Sequence, residues 1–251
     1  SGAKALVVLA NVANAIEEVI DQTDIQQVII TEIADLHPFP KRQLINSVVK
    51  YVKKQVPSCH LPILVNFRKA LALGQRDNFT PVKIQATDIA FLQYTGGTTG
   101  VAKGAVLTHQ NLIHNKTQII SHWQQFLTPA KEIFAAPLPL YHIYGFTLHC
   151  LALVSIGCHS VLVPNPRDIN SLVKVFQTNP LTGMVGLNTL FVALMNHKDF
   201  SSVDFSSLAL TTSGGMALVD DTAKRWEAMT GTTILEGYGL TETSPVVAAN
   251  K

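Results

Sequence analysis

This sequence has little of what marks secreted, metal-binding or highly charged proteins. Only 14% of its 251 residues are charged and 7% are aromatic, and its three cysteines, Cys59, Cys150 and Cys158, form no CxxC pair. None of its nine histidines forms an HExxH motif, so we expect neither a disulfide framework nor a histidine-held metal. The sequence begins at Ser1, not at a methionine, and strand-like residues follow at once, without the pattern of a signal peptide. We therefore expect reduced thiols, a cytoplasmic location and a chain cut from a larger protein.

Acidic residues are nearly missing from residues 36–87, where nine Lys or Arg accompany Asp77 alone. Within this stretch, KRQLINSVVKYVKKQV predicts a helix with one apolar face, formed by Leu44, Val48, Tyr51 and Val52. Lys50, Lys53 and Lys54 lie outside that face. The helix either docks on the fold with solvated lysines or leans on the anionic inner face of the cell membrane. Nucleic acid is not an expected partner, because no recognition motif accompanies the basic residues.

Charge of either sign is missing from residues 133–166. Their segment IYGFTLHCLALVSIGCHSVLV is about long enough to span a bilayer. His149, Gly157 and His159 interrupt it, and IGC is typical of a turn. We favour a buried helix followed by a buried strand, with a membrane span as the alternative.

Short apolar runs alternate with helical patterns along the chain, which indicates an α/β fold. ALVVL, a helix that buries Val12, Ile16, Val19 and Ile20, and QQVIIT form one predicted βαβ unit. DIAFLQYT, LTGMVGL, LALTTS and TTILEG predict further strands. Thr108 and Asp168 are expected to cap the helices that follow them, of which the first buries Leu112, Ile119, Ile120 and Trp123 and the second Ile169, Leu172, Val173 and Phe176.

The apolar runs do not alternate strictly with polar residues, which is typical of strands covered on both faces. We therefore predict mostly parallel β-sheets flanked by helices in two layered subdomains. The turn-rich stretch GQRDNFTPVKIQATD, residues 74–88, is a candidate boundary between subdomains of residues 1–87 and 88–251.

Glycine and threonine are concentrated in YTGGTTGVAKG, residues 94–104. Glycines let backbone N–H groups converge on an anion, while threonine hydroxyls and a lysine add donors and charge, as a polyphosphate requires. The stretch is not a Walker A loop, because Val101 and Ala102 separate Gly100 from Lys103. A glycine-rich turn without a ligand remains the alternative on this loop alone.

A second segment, LEGYGLTETSPVV, combines glycines, hydroxyls, an aromatic residue and an acid after the strand-like TTIL. Tyr238 could stack on a base, Thr241 could bond a phosphate, and Glu242 could offer an oxygen ligand to Mg²⁺. Taken alone, the segment also fits an ordinary turn with a capping threonine.

These two segments and PLPLYHIYG resemble three motifs of the adenylate-forming superfamily, which contains acyl-CoA synthetases, luciferases and peptide synthetase adenylation domains. FLQYTGGTTGVAKGAVLTHQNL, GLNTLFVAL, DFSSLALTTSGGM and EGYGLTETSPVV look like bacterial long-chain fatty acid CoA ligases, and the resemblance spans essentially the whole chain. It implies part of the large N-terminal domain, without the small C-terminal domain that carries a catalytic lysine. The sequence departs from the superfamily's commoner loop at Gly96, where serine is usual, and at Ala102, where proline is usual.

The resemblance implies a two-step reaction. ATP and a fatty acid give an acyl-adenylate and pyrophosphate, and the acyl group then passes to CoA, with Mg²⁺ as cofactor. The isolated chain is expected to turn over little, because parts of the catalytic apparatus are missing from it. Two alternatives remain: an adenylating enzyme for an aryl, short-chain or amino acid, and a non-catalytic nucleotide-binding module.

Roles for individual residues also follow from the resemblance. ATP or AMP binding is implied for Thr95, Gly96, Gly97, Thr98, Thr99, Gly100, Lys103, Gly214, Gly215, Met216, Glu236, Gly237, Tyr238, Gly239 and Thr241. Catalytic roles are implied for Lys103, His142, Thr241 and Glu242, and Glu242 is also the expected Mg²⁺ ligand. The acyl site is expected to include His142, Gly145, Leu187, Asn188 and Leu190.

Overall fold

The computed structural model describes residues 2–61, 64–95 and 102–250. The chain divides into two compact units, Ser1–Lys83 and Ile84–Lys251. The division lies within the turn-rich stretch of residues 74–88. Both units combine parallel strands with helices, which confirms the predicted α/β fold class.

The first unit contains a three-stranded parallel sheet in the order β1-β2-β3. Its strands are β1 (Ala5–Leu9), β2 (Gln27–Thr31) and β3 (Leu64–Asn66). Its helices are α1 (Asn14–Glu17), a 3₁₀ turn (Ile20–Gln22), α2 (Lys41–Ser47), which continues as a π-helix (Val48–Val52), and α3 (Phe67–Gly74). The parallel pairing of β1 with β2 confirms the predicted βαβ unit.

The helical face predicted after β1 is only half right. Ile20 is buried, but Val12 and Val19 are exposed, and Ala13 is buried instead. The reason is that α1 is a single turn and is followed by a separate 3₁₀ turn. A helical period does not continue across such a break, so these valines do not share a face with Ile20.

The apolar face predicted for the helix within residues 41–56 is not docked on the fold, which was one of the two alternatives. Leu44, Tyr51 and Val52 are 67%, 68% and 74% exposed, whereas Val49 is buried. The rotation of α2 is fixed by Asn46, whose Oδ1 accepts from the Ala34 N–H at 3.0 Å. Its Nδ2 donates to Glu32 at 2.9 Å. These tertiary hydrogen bonds outweigh the hydrophobic pattern and leave an apolar face beside the lysines in solvent.

The second unit is built on a six-stranded sheet in the order β11-β10-β9-β8-β6-β7. Neighbouring strands in it are parallel, except that β11 runs antiparallel to β10. The strands are β6 (Ile133–Ala136), β7 (His159–Leu162), β8 (Gly183–Gly186), β9 (Leu210–Gly214), β10 (Ile234–Gly239) and β11 (Val246–Ala249). Mostly parallel pairing agrees with the sequence prediction.

A two-stranded antiparallel ladder also belongs to the second unit and was not predicted. It joins β4 (Ile89–Thr95) to β5 (Lys103–Thr108). The glycine-rich segment therefore connects two antiparallel strands. The predicted strand over DIAFLQYT is confirmed as β4.

Two helices of the second unit begin where the predicted capping residues place them. Thr108 forms a capping box with Asn111 at the start of α4, and the Asp168 side chain accepts from the Ser171 N–H at the start of α6. The helices are α4 (His109–His122), α5 (Ile143–Gly145), a π-helix (Phe146–Leu153), α6 (Ile169–Thr178), α7 (Asn188–Met195), a 3₁₀ turn (Phe200–Ser202), α8 (Asp220–Thr230) and a 3₁₀ turn (Thr241–Thr243).

The uncharged stretch is a mostly buried helical segment followed by β7, as favoured from the sequence. The predicted burial of the strand is wrong, because β7 lies at the edge of the sheet, where His159 and Leu162 are exposed. In the part of the chain that the structure describes, no helix has the length and apolar character needed to cross a membrane. The central strands β8 and β9 are completely buried. Phe134 pairs in register with Gly183, and the missing side chain of Gly183 leaves the space that the phenyl ring fills.

Candidate functional site

Three predicted binding segments follow the carboxyl ends of parallel strands in the six-stranded sheet. β9 ends at Gly214, β10 ends at Gly239, and the chain runs from the end of β6 to His142. The carboxyl ends of parallel strands meet at one edge of a sheet, where ligands of α/β proteins commonly bind. The topology therefore brings together segments that are far apart in the sequence.

These segments line a cavity of about 370 Å³. That volume lies in the range of small-molecule sites. Of the residues predicted for nucleotide, catalytic or metal roles, the cavity is lined by Thr95, His142, Gly214, Gly215, Gly237, Tyr238, Gly239, Thr241 and Glu242. The other described lining residues are Trp123, Ile143, Tyr144, Thr212, Leu240, Pro245, Val246 and Ala249.

Tyr144 packs closely against Gly214 in this cavity. A Cβ on Gly214 would lie 3.1 Å from the Tyr144 ring and 3.2 Å from the Gly237 carbonyl oxygen. The Tyr144 hydroxyl lies 3.3 Å from the hydroxyl of Thr212. Burial raises the pKa of Tyr144 to about 12, with the Thr212 hydrogen bond opposing the shift. Tyr144 is therefore a neutral wall residue, and Gly214 is required for its fit.

His142 is exposed and lies at the start of α5, where its side chain caps the helix. Its Nδ1 accepts a hydrogen bond from the Tyr144 N–H at 3.2 Å. In the neutral ring, the proton then belongs on Nε2. His142 can therefore offer an N–H donor to a carboxylate or phosphate oxygen in the cavity.

Thr241 and Glu242 lie in the tight connection between β10 and β11. A side chain on Gly239 would collide with the Pro245 carbonyl, so this connection needs glycine there. Glu242 is exposed and contributes a carboxylate to the cavity. The structure shows no cluster of three or more His, Cys, Asp or Glu residues suited to a metal among the residues it describes. One carboxylate nevertheless suits Mg²⁺, which commonly takes one or two carboxylates together with substrate phosphates.

The glycine-rich segment lies largely outside the described residues, which include neither Gly96 and Gly97 nor Thr98, Thr99 and Gly100. Its two ends are described. Thr95 and Lys103 are register partners at the end of the β4–β5 ladder, and the Thr95 hydroxyl donates to the Lys103 carbonyl at 3.4 Å. Thr95 lines the cavity, and Lys103 is exposed beside it.

Met216 and Glu236 line a neighbouring cavity of about 540 Å³, which shares Gly215 and Tyr238 with the first. Glu236 Oε1 accepts from the Leu218 N–H at 2.9 Å. This bond ties the segment after Gly215 to β10. The Glu236 side chain therefore helps to hold the backbone of that segment in place beside the site.

The other predicted acyl-site residues are not among those that line the cavity. Gly145 is buried, and a Cβ there would lie 2.6 Å from the Pro139 carbonyl oxygen. Asn188 accepts from the Val219 N–H at 3.0 Å, and Leu190 is packed in the core. Leu187 lies close to a lining residue, because its Cδ2 would be 3.7 Å from a Cβ on Gly215.

Sequence reasoning assigned no site role to Tyr144, Thr212 or Trp123. Tyr144 follows His142 by two residues in PLPLYHIYG, so that segment carried a signal for it. Thr212 precedes Gly214 by two positions in β9 and therefore lies on the same face of the strand. Trp123 was expected to be buried and is buried, but only the fold brings it to the cavity.

The chain is similar to known proteins over its whole length. The family model described as AMP-binding enzyme matches residues 1–251. A curated relative named long-chain-fatty-acid–CoA ligase, from Salmonella typhimurium, is 47% identical over 250 residues. The match includes 100% of this chain and 45% of that relative, so the chain spans less than half of the relative's length.

Two solved structures share the fold. A long-chain-fatty-acid-CoA ligase from Archaeoglobus fulgidus gives a TM-score of 0.69 at 20% identity, covering 100% of this chain and 45% of that one. An anthranilate CoA ligase in complex with anthranoyl-AMP gives a TM-score of 0.68 at 20% identity, covering 99% of this chain and 42% of that one. At these identities the likeness establishes the fold alone.

Proposed function

Because the chain belongs to the family of AMP-binding enzymes, we propose that the whole protein is an ATP-dependent long-chain fatty acid CoA ligase. A fatty carboxylate attacks the α-phosphorus of ATP, and the bond to pyrophosphate breaks. The thiolate of CoA then attacks the acyl carbonyl, and AMP leaves. The 47% identity to a curated long-chain-fatty-acid–CoA ligase supports this substrate class.

The observation that carries the proposal is one cavity with two chemically different linings. Gly214, Gly215 and Tyr238 supply flat backbone and an aromatic ring, which suit a purine. Thr241 and Glu242 add a hydroxyl and a carboxylate at the same cavity. Trp123, Ile143 and Val246 make other parts of its lining apolar, which suits an acyl chain.

In this proposal the residues of the chain bind and orient the reactants. Tyr238 stacks on adenine, Thr241 donates to the α-phosphate, and Lys103 neutralises the outer phosphates. His142 donates its Nε2 proton to the fatty carboxylate and so orients it for attack. Glu242 would hold Mg²⁺, which supplies charge neutralisation at the phosphates when bound.

We also propose peripheral contact with an anionic membrane surface as the route by which fatty acid reaches the protein. The supporting observation is the exposed surface of the helical segment at residues 41–52 and of the two lysines that follow it. There Leu44, Tyr51 and Val52 are exposed among Lys50, Lys53 and Lys54. Apolar side chains mixed with lysines suit the boundary between headgroups and acyl chains of a bilayer.

The test is carboxylate-dependent exchange of labelled pyrophosphate into ATP by the intact protein. Long-chain fatty acids are expected to support exchange better than aryl, short-chain or amino acids. Glu242→Ala should shift the magnesium dependence to higher concentrations, whereas Asp221→Ala, an exposed acid on α8, should leave it unchanged. Preference for another acid class would replace the proposed substrate, and ATP binding without exchange would favour a non-catalytic module.

A further inference from the structure

We propose that Trp123 forms the end wall of the acyl part of the cavity and so sets the longest carboxylic acid that fits. The inference rests on the proposed function, because it assumes that the cavity holds an acyl group joined to a nucleotide. It assigns a specificity-determining role to a residue outside the motifs that indicate nucleotide binding.

The first observation is the position of Trp123 between two cavities. A second cavity, of about 180 Å³, lies between α4 and β11 and is also lined by Ile119 and His122. Of the described residues, Trp123, Val246 and Ala249 line both cavities. Trp123 is much the largest of the three, so its indole forms most of the partition.

The second observation is that the partition is held firmly. Trp123 is 6% exposed and belongs to a packed cluster that also contains Ile119, Phe134 and Leu148. It is the C-cap residue that follows α4, and its backbone N–H donates to the Ile119 carbonyl at 3.1 Å. A close-packed side chain at a helix end cannot move aside without disturbing its neighbours. The indole therefore acts as a fixed wall.

The third observation concerns the indole N–H. Trp123 Nε1 is buried and has no hydrogen-bond partner in the structure. Because this donor has no partner, no hydrogen bond holds the indole in place. The unpaired donor is itself unfavourable at a buried position. The indole therefore acts on the acyl chain through its size and shape. Phenylalanine should preserve much of that shape, whereas alanine should remove the partition.

The consequence is a limit on chain length. Each methylene buried in an apolar cavity improves affinity by about fourfold. Affinity should rise at this rate until the acyl chain reaches Trp123 and then stop rising. With Trp123→Ala, the chain can enter the second cavity, so the rise should continue over several further methylenes.

The experiment is calorimetric titration of the intact protein that contains this chain with AMP and with alkyl esters of AMP of increasing chain length. AMP alone reports on the nucleotide site, and the dependence on length reports on the wall. We expect the affinity of the native protein to stop rising at a certain alkyl length. In Trp123→Phe it should stop at the same length within one or two methylenes, and in Trp123→Ala it should stop at a greater length. Circular dichroism and thermal unfolding check the fold of each variant.

A second measurement decides the matter if Trp123→Ala does not fold. Alkyl-AMP esters with bromine at different positions quench tryptophan emission on contact, and the difference between the native chain and Trp123→Phe isolates the emission of Trp123. The other tryptophan of this chain, Trp226, is buried in a separate cluster. Quenching should be strongest with bromine near the far end of the alkyl chain.

The outcomes separate the two hypotheses. If AMP does not bind the folded intact protein, the proposed nucleotide site fails and this inference fails with it. If AMP binds but the affinity stops rising at the same length in Trp123→Ala, or if quenching is strongest near the phosphate, the inference is overturned while the proposed function stands.

Discussion

The side-chain amide of Asn115 pairs with both backbone groups of Val246. Its Nδ2 donates to the Val246 carbonyl at 2.7 Å, and its Oδ1 accepts from the Val246 N–H at 3.0 Å. Asn115 lies on α4, 131 positions away in the sequence, and is buried. The amide thus acts as a further strand partner for the edge strand β11 and fixes the end of the connection that carries Thr241 and Glu242.

Asn115→Ala should therefore destabilise the chain by about 2 kcal/mol or more, because both backbone groups lose their partner at a buried position. Asn115→Asp should cost more at pH 7 than at pH 4, since an ionised carboxylate cannot donate to the carbonyl. Urea unfolding at both pH values measures this. His114→Ala, on the exposed side of α4, should be nearly neutral. Equal effects of Asn115→Ala and His114→Ala would contradict the role of the pair.

Tyr238 is 61% exposed at the cavity, where its ring is available to a base. Tyr238→Ala should weaken AMP binding by about 1–3 kcal/mol, because stacking on an aromatic ring contributes about that much. Tyr238→Phe keeps the ring and should bind AMP as the native chain does. Calorimetric titration compares the three proteins, and an unchanged affinity in Tyr238→Ala would remove Tyr238 from the nucleotide site.

Gly214→Ala should destabilise the chain by about 1–3 kcal/mol and weaken AMP binding, because its Cβ would press on Tyr144. The cost should fall when the ring is removed by Tyr144→Leu in the same chain. A double-mutant cycle of unfolding free energies measures this coupling. Additive effects of the two substitutions would show that the Tyr144 ring is not what excludes a side chain at position 214.

His149 should make stability depend on pH between about 4 and 6.5. Burial lowers its pKa from 6.5 to about 4, and its Nδ1 lies 3.0 Å from the Ser160 hydroxyl. Between these values the unfolded chain binds the proton and the folded chain does not, so stability falls as pH falls. The fall should total about 3 kcal/mol.

His149→Gln removes this titration and keeps a polar group opposite Ser160. The difference in unfolding free energy between the native chain and this variant, measured from pH 7 to pH 4, isolates the contribution of His149. A difference that does not change with pH would mean that the histidine is protonated as readily in the fold as in the unfolded chain.

The membrane proposal predicts that Lys50, Lys53 and Lys54 matter together. Replacing all three by Gln should weaken binding to phosphatidylserine-containing vesicles by about 3 kcal/mol, since each lysine near an anionic surface contributes about 1 kcal/mol. The matched control replaces Lys131, Lys174 and Lys198 by Gln, which changes net charge equally. Vesicle sedimentation measures the binding of both variants. If both lose the same binding free energy, net charge alone explains the effect and the helix has no special role.

Much of the fold was predictable because its signals are local. Thr108 and Asp168 cap their helices as expected, since a capping side chain bonds to backbone within three residues. The apolar runs that became β8 and β9 needed no distant information. The β4–β5 ladder was missed, because strands that flank a glycine-rich loop depend on pairing with each other across that loop.

The sequence by itself determined many of the strands and the starts of α4 and α6, because periodicity and caps act over a few residues. The tertiary structure alone decided which face of α2 is exposed, since Asn46 bonds to residues that precede it by more than a turn. It also decided that Trp123 meets Val246 at a cavity wall. That contact depends on the order of strands in the sheet, which no local pattern specifies.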